Sequence, residues 1–552
     1  MARILLEARD IQKSYALRTV LDIKNFEVYD GERIGLVGEN GAGKSTFIKI
    51  LSGALEPDSG VIIRHAPVHV IAQQGDFDED EFDPALRSEF AAQDSREGLS
   101  GGEKTRRRIA GALSGRGGIL FADEPTTDLD AKGVERLERR LKEYDGALVL
   151  ISHDRALLDS LCSRIVQLED GHITSFPGNY TAYRAELENR REHQQFLYDK
   201  YRAEEKRIKG MIQHEYEHAS QMGHLPKRMG NSEARLHKRE TTVAQGKVHQ
   251  SRKMFESRLA QLEKVDRPRE DPNIAMKLGA ATPVTSKTAL EIRMLNMRAG
   301  SRALLENASM RLPVGTKTAI MGDNGCGKTT LLTRIARDKH NPAIRISPGV
   351  KIGWFDQDHR STLNMGMSAL ENAMRESIFP ESVVRTILAR LNMRGEDVFK
   401  PLSVLSGGEL AKVALAGLFA ADINLLILDE PTNHLDVFTL EALQGVLKEY
   451  AGTLLAVSHD RRFVSDIADR LIFFENKKLV TFEGNMEAYA ASQNADRARD
   501  DYQLEITRMQ MRLAAIAARM SAPKKGDSPE KLNAEYEAAL MELNELKRRG
   551  NA

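Results

Sequence analysis

Two octets of one pattern, Gly38-Glu-Asn-Gly-Ala-Gly-Lys-Ser45 and Gly322-Asp-Asn-Gly-Cys-Gly-Lys-Thr329, stand 284 positions apart in a chain of 552 residues. The first follows the short apolar run Arg33-Ile-Gly-Leu-Val37 and opens onto the helical run Phe47–Leu51. Gly-x-x-x-x-Gly-Lys-Ser/Thr between a strand and a helix is a narrow constraint on the fold, because glycines let backbone N–H groups curl around phosphate and the helix N-terminus adds positive potential. Gly38, Asn40, Gly41, Gly43, Lys44, Ser45 and Thr46 therefore form one candidate phosphate cradle. Gly322, Asn324, Gly325, Gly327, Lys328, Thr329 and Thr330 form a second. Each lysine can reach the β/γ oxygens of a nucleotide, and the hydroxyl of Ser45 or Thr329 can ligate Mg²⁺.

The repetition runs well beyond the octets. The offset of 284 also takes Leu6 to Leu290 and Gln73 to Gln357 without a gap. An offset of 306 takes Ser100 to Ser406, Asp123 to Asp429, Glu124 to Glu430, Asp130 to Asp436 and His153 to His459. In the first copy, Ile119-Leu-Phe-Ala-Asp123-Glu124 reads as a buried strand that delivers two carboxylates to its end. Asp123 and Asp429 are placed to hold Mg²⁺ through water, and Glu124 and Glu430 to act as base on water. Gln73 and Gln357 end strand-like runs, where an amide can ligate the metal or the attacking water. Ser100-Gly101-Gly102 and Ser406-Gly407-Gly408 open helices with small residues, which suits phosphate contact through bare amides. His153 and His459 end further strands, within reach of a γ-phosphate. A chain of this length exceeds what one core supports, so a tandem of homologous domains is expected.

The ordered set of phosphate loop, glutamine, Leu-Ser-Gly-Gly-Glu, Asp-Glu-Pro-Thr and Ser-His resembles the ATP-binding cassette superfamily. Two cassettes on one chain, with a charged helical linker and no membrane span, resemble its ABC-F subfamily. The resemblance implies an α/β architecture of two tandem ABC-type ATPase domains, residues 1–180 and 288–485. A long helical hairpin linker at 181–287, bent near 222–232, would join them, and a helical coiled-coil extension would follow at 486–552. It further implies an ATP hydrolase using ATP and Mg²⁺, whose cassettes pair within a monomer and close head to tail around two nucleotides. One site would then join Lys44, Ser45, Gln73, Asp123, Glu124 and His153 to Ser406-Gly407-Gly408. The other would join Lys328, Thr329, Gln357, Asp429, Glu430 and His459 to Ser100-Gly101-Gly102.

The copies also differ. Tyr15 stands where the family stacks an aromatic ring on adenine, but Ala299 is its equivalent in the second copy. The second copy reads Pro431-Thr-Asn-His-Leu-Asp436, the usual family form, against Pro125-Thr-Thr-Asp-Leu-Asp130 in the first. Between Gln73 and Leu99 lie 25 residues, whereas 47 separate Gln357 from Leu405. The helical subdomain of the first cassette must therefore be cut down. There is also no room for the inserted arm that housekeeping translation factors of the subfamily carry. That points towards the antibiotic-resistance, ribosome-protection members of the Vga, Lsa and Vml type.

Between the copies, Tyr183–Gln221 is free of proline and dense in Glu, Lys, Arg and Gln, which predicts helix. Gly223, Pro226 and Gly230 break it, and helix is expected again from an Asn231 or Ser232 cap towards Val265. Met222–Lys253 carries Lys227, Arg228, Arg235, Lys238, Arg239, Lys247, Arg252 and Lys253 against only Glu233 and Glu240, on a chain whose formal net charge is zero. A charge run is ordinarily a solvated face; in this setting the alternative is a surface for rRNA and tRNA phosphates. Met222, Leu225 and Met229 add apolar side chains at a solvent-directed bend, where a partner such as the ribosome is the expected contact.

After Gly484, Ile506, Met509, Leu513, Ile516 and Met520 step by three and four, and Leu532, Tyr536, Ala539, Leu543 and Leu546 repeat the spacing, as in a coiled-coil hairpin. Cys162 and Cys326 are the only cysteines, which excludes a disulfide framework and fits a reducing cytoplasm. The chain shows neither a signal-peptide pattern nor a run of apolar residues long enough to span a membrane. Three functions stay open at this point. They are ribosome protection against an antibiotic, a housekeeping translation factor of the same subfamily, and a transport or DNA-repair ATPase.

Overall fold

Long-range pairing turns the repeated runs into two sheets of the same strand order. The computed structural model describes every residue except 1–2, 16–17, 74–82, 91–100, 116, 128, 222–247, 268–283, 339–340, 357–358, 434, 522–527 and 550–552. It forms two compact units, Met1–Thr127 with Arg136–Ala275, and Asp128–Glu135 with Met276–Ala552.

In the first unit a six-stranded sheet runs Val68–Ile71, Ile119–Asp123, Ala147–Ile151, Arg33–Val37, Arg164–Glu169, His172–Pro177 across its width. All neighbours are parallel except the last pair. Every residue of Ile119–Asp123 and Ala147–Ile151 is buried, as expected of central parallel strands covered on both faces. An antiparallel sheet of Arg18–Tyr29, Ile4–Tyr15 and Ser59–Arg64 contributes Leu6, Ile11, Leu21 and Phe26 to a core around Phe47 of the phosphate-loop helix. The second unit repeats this order with Ile352–Phe355, Leu425–Asp429, Thr453–Val457, Lys317–Met321, Arg470–Glu475 and Lys478–Glu483.

The two units differ in the segment before the Gly-Gly helix. In the second, the helices Ala369–Met374 and Glu381–Arg390 pack Leu370, Val384, Ile387 and Leu388 against Leu410, Val413 and Phe419 of the helix Gly407–Ala420. In the first, the only described helix there is Pro84–Glu89. Its C-terminal Glu89 is gripped by Arg139 (2.9 Å) and Arg140 of the helix Ala131–Glu143, and these guanidinium groups hold the carboxyl below its ordinary range.

The helix Tyr180–Gln221 is 42 residues long and starts earlier than the sequence pattern suggests. Tyr180 and Tyr183 are buried at its root, Tyr183 with its ring centroid 4.9 Å from that of Phe176. Beyond the root the helix is largely exposed and laced with i,i+3 and i,i+4 ion pairs such as Glu205–Lys209. Residues 248–261 are helical, and Arg258 lies 3.3 Å from Glu204 of the long helix. The expected cap at Asn231 or Ser232 lies outside the described residues, and the helix stops at 261, short of Val265.

At the C-terminus, Met486–Ser521 and Pro529–Arg549 pack around Ile506, Leu513, Ile516, Ala539 and Leu543. The ion pairs Arg512–Glu542 and Arg519–Glu535 run in antiparallel order along the two helices. Met520 does not join this seam: it is 39% exposed, because a residue in the last turn has packing neighbours on one side only.

Candidate nucleotide sites

Each phosphate loop links a strand of a central sheet to a helix whose first residue is the lysine. Gly43 and Gly327 precede Lys44 and Lys328 with φ of 104° and 109°, a left-handed geometry costly for any residue bearing a Cβ. Space imposes the same choice, since a Cβ on Gly43 would lie 2.6 Å from Val20 Cγ1 and one on Gly38 only 2.5 Å from the Leu168 carbonyl oxygen. Lys44 Nζ donates to the carbonyls of Gly38 (2.8 Å) and Glu39 (2.9 Å), and Lys328 Nζ to those of Gly322 (2.8 Å) and Asp323 (3.2 Å). The ammonium thus sits folded over the loop in both units, where a phosphate would compete for it.

Asp123 and Asp429 end the strands Ile119–Asp123 and Leu425–Asp429 as expected, and both are buried. Burial pushes the Asp123 carboxyl up from its ordinary value, partly offset by the Ser45 hydroxyl and then by Lys44. Burial likewise pushes Asp429 up to about 6, with Thr329 the main opposing group. Asp429 is 0% exposed, and neither carboxylate oxygen has a hydrogen bond of ordinary geometry. A buried carboxylate in that condition costs stability unless a cation or donor meets it, so the hydroxyl–carboxylate pair fits a divalent cation bound with phosphate. Among the described residues no cluster of three or more His, Cys, Asp or Glu forms a cation site.

The next residue in each copy breaks the backbone rule. Glu124 and Glu430 have φ of 49° and 48°, strained for a residue with a side chain. Their backbone N–H groups donate to Ile151 O and Val457 O, both at 2.9 Å, which holds the turn. His153 Nε2 lies 3.1 Å from Glu124 Oε1 and His459 Nε2 3.3 Å from Glu430 Oε1, and each histidine's backbone N–H faces the other carboxylate oxygen. Burial, with Asp123 beside it, pushes Glu124 up to about 8; burial pushes Glu430 up to about 7. His459 is pushed down to about 4 by burial and by Lys328, so its imidazole is neutral at pH 7. A carboxyl poised near neutrality beside a neutral imidazole can exchange a proton with water.

Tyr15 is 50% exposed at a strand end, with Lys13 Nζ 6.0 Å from its ring centroid. The matching strand end in the second unit pairs Ala299 with Arg302 and offers no ring. Gly101 and Gly102 begin the helix Gly101–Ser114, and Gly407 and Gly408 begin its counterpart. Ser406 caps that counterpart: the Glu409 N–H donates to Ser406 Oγ (3.4 Å) and the Ser406 N–H to Glu409 Oε2 (2.7 Å), a capping box. Gln73 is described and exposed, but Ser100 and Gln357 lie outside the described residues. So do Met222, Leu225, Lys227, Arg228, Met229, Arg235, Lys238 and Arg239.

The sequence reading missed Arg108. On the Gly101–Ser114 helix, its Nη1 donates to the carbonyls of Ala72 (2.7 Å) and Gln73. The signal was present in Arg106-Arg-Arg108 standing opposite Lys412-Val-Ala414, two arginines where a buried apolar helix face is the norm.

Comparison with known proteins agrees with this geometry. The ABC transporter family model matches residues 21–82 and 305–433. The chain is 33% identical to the ribosome protection protein VmlR of Bacillus subtilis, over 83% of this chain and 84% of that protein. It is also 33% identical to the erythromycin resistance ATP-binding protein MsrA of Staphylococcus epidermidis, over 82% of this chain and 93% of that one. Among solved structures it is similar to the archaeal ribosome recycling factor aABCE1 in complex with the stalk protein aP1, with a TM-score of 0.57, 21% identity, and coverage of 88% of this chain and 92% of that chain. That last likeness concerns the fold. No described helix is long and apolar enough to cross a membrane. With two cassettes built around paired ATP-binding motifs, the chain is an ATP hydrolase that belongs to the ABC-F subfamily of ATP-binding cassette ATPases.

Proposed function

We propose that the protein binds the ribosome and protects it from an antibiotic, with ATP-driven pairing of its cassettes directing the linker towards the peptidyl-transferase region. The observation that carries this reading is the 33% identity to VmlR over most of both chains. The 25-residue interval between Gln73 and Leu99 supports it, because it leaves no room for a long arm. In this reading Lys44 and Lys328 leave their loop carbonyls to bind phosphate, and Tyr15 stacks on the first adenine. Ser45, Thr329, Asp123, Asp429, Gln73 and Gln357 hold Mg²⁺. When bound, Mg²⁺ supplies charge neutralisation at the transferring phosphoryl group. Glu124 and Glu430 take the proton of the attacking water, with His153 and His459 orienting them and sensing the γ-phosphate.

The basic segment Met222–Lys253 would lie along rRNA and tRNA phosphates. Its affinity would then fall steeply with salt, as counterions are released. The test has two arms. Cosedimentation with ribosomes, with and without a non-hydrolysable ATP analogue, should show ATP-dependent binding whose salt slope falls when Lys227, Arg228, Lys238 and Arg239 are neutralised together. A panel of lincosamides, pleuromutilins and streptogramin A, run in expressing cells, should show raised inhibitory concentrations that are lost on shortening Gly223–Gly230 while ATP turnover survives. Ribosome binding without any resistance would favour a housekeeping translation factor.

A further inference from the structure

The two cassettes hold the strand end that carries their glutamine in different ways. In the first, Arg108 on the Gly-Gly helix donates to the carbonyls of Ala72 and Gln73, and its Nη2 also donates to Thr105 Oγ1 (3.0 Å). By the offset of 306, Arg108 corresponds to Ala414, and by the offset of 284, Ala72 corresponds to Asp356. In the second cassette Asp356 is instead held by Arg337 (3.1 Å), from the phosphate-loop helix Lys328–Arg337. Ala414 there lines a cavity of about 500 Å³ with Trp354, Phe355, Asn372 and Val413. The volume that is open in one cassette is thus on the side where the other extends a guanidinium. The shortened helical segment of the first cassette explains the exchange. With fewer residues to pack over the Gly-Gly helix, a charged side chain reaches back to the sheet, where one guanidinium nitrogen meets two successive carbonyls while the other is fixed on Thr105.

We infer that Arg108 is a positioning residue that fixes Gln73 against the Gly-Gly helix of the first cassette and thereby sets the magnesium affinity of the first site alone. The inference rests on the reading above in one respect, the assignment of Gln73 as a metal ligand. Gln73 lies two residues past the end of a short edge strand, Val68–Ile71, which has parallel pairing on one side only, to Ile119–Asp123. Removing Arg108 leaves that end without the guanidinium fork, and the amide loses its preset position. Partners that orient a ligand in this way are worth about 10–100-fold in metal affinity.

The experiment uses the full chain. Mn²⁺ binding in the presence of a non-hydrolysable ATP analogue is followed by electron paramagnetic resonance, and Mg²⁺ half-saturation of turnover is measured in E430Q and E124Q backgrounds, which leave hydrolysis to the first and second site respectively. R108A is expected to weaken one of the two Mn²⁺ sites about tenfold. It should raise the Mg²⁺ half-saturation by a similar factor in the E430Q background only, with the KM for ATP at saturating Mg²⁺ held within about twofold. R108K keeps the charge and a donor for the carbonyls but has no second nitrogen to hold Thr105 Oγ1, so it should fall between. Without nucleotide or metal, amide exchange at residues 69–73 should speed up in R108A while the strand Ala147–Ile151 keeps its protection. Q73A separates the two ideas. If Q73A shifts the metal affinity and neither Arg108 variant does, Arg108 is only a packing residue and the inference fails. If Q73A leaves metal affinity unchanged, the metal role of Gln73 is wrong, and the inference falls with it. An equal metal shift in both backgrounds would also overturn it, by showing general loosening.

Discussion

The cassettes agree where phosphate chemistry is done and diverge where nothing but packing is asked of the chain. Lys44 and Lys328 fold over their loops with the same first contact at 2.8 Å, and Glu124 and Glu430 share a strained φ within a degree of each other. Those features hang on the ends of central parallel strands, which cannot shift without breaking pairing on both sides. The helical segment ahead of the Gly-Gly helix has no such restraint. One cassette fills it with two helices and an apolar cluster; in the other the described part is a six-residue helix tied down through Glu89 and two arginines. A repeat can therefore keep its reaction centre while changing the lever beside it.

The strongest way to test the likeness is to remove both candidate bases. E124Q/E430Q should lower ATP turnover at least about 100-fold, the lower bound usually seen for a lost general base, while equilibrium ATP binding persists. The single variants then measure whether the sites are equal, with each leaving about half the turnover if Thr127 and Asp128 make no difference against Asn433 and His434.

A core truncation breaks the difference instead. Leu388 is 0% exposed in the two-helix segment of the second cassette, whereas Leu86 of the short helix in the first is 8% exposed. Leu388→Ala should cost about 2–5 kcal/mol, read as a shift in the urea transition of Trp354 fluorescence. Trp354 is the only tryptophan in the chain and lies in the second unit. Leu86→Ala should cost less and leave that signal in place.

Burial of the second candidate base, Glu430, should show in stability against pH. Glu430 is raised from 4.5 to about 7 in the folded state. Below the unfolded value it is protonated in both states and costs nothing. The cost grows as pH rises through the window and is complete above the folded value. Glu430→Gln should therefore leave the Trp354 transition unchanged at pH 4 and strengthen it at pH 8 by about 3 kcal/mol, at 1.36 kcal/mol per unit. A stabilisation equal at both pH values would mean that the carboxyl is not held neutral by its surroundings.

The smallest effect concerns the base of the nucleotide. Tyr15→Ala should weaken ATP at one site by about 1–3 kcal/mol, the range for base–aromatic stacking, leaving the other site untouched. Ala299→Tyr should strengthen the second by a smaller amount, because its ring has no Lys13 counterpart above it: Met297 stands at that position. Competition binding with ATP and GTP on each variant gives both numbers.

Residue patterns alone were enough to locate the two phosphate loops, the acidic strand ends and the long polar helix, because each rests on local chemistry. Glycine at Gly43 or Gly327 serves a backbone that a Cβ would obstruct, and an unbroken apolar run such as Ala147–Ile151 can only be a buried strand or helix. Much less of the positioning was legible. Arg106-Arg-Arg108 reads as a polar helix face until the strand end at Gln73 is brought beside it by pairing between Val68–Ile71 and Ile119–Asp123. Met520 matched the seam spacing and still lies half in solvent, since periodicity says nothing about where the partner helix ends.

The sequence by itself determined that this chain carries two nucleotide motors, the order of their parts, and the different lengths of their helical segments. Only the tertiary structure decided that Glu124 and Glu430 titrate near neutrality, that His459 stays uncharged, and that one glutamine is held through the Gly-Gly helix. The physical reason is range. A phosphate cradle is specified by residues that are neighbours in the chain, whereas desolvation and a guanidinium fork across 35 residues depend on which distant strands close over the site.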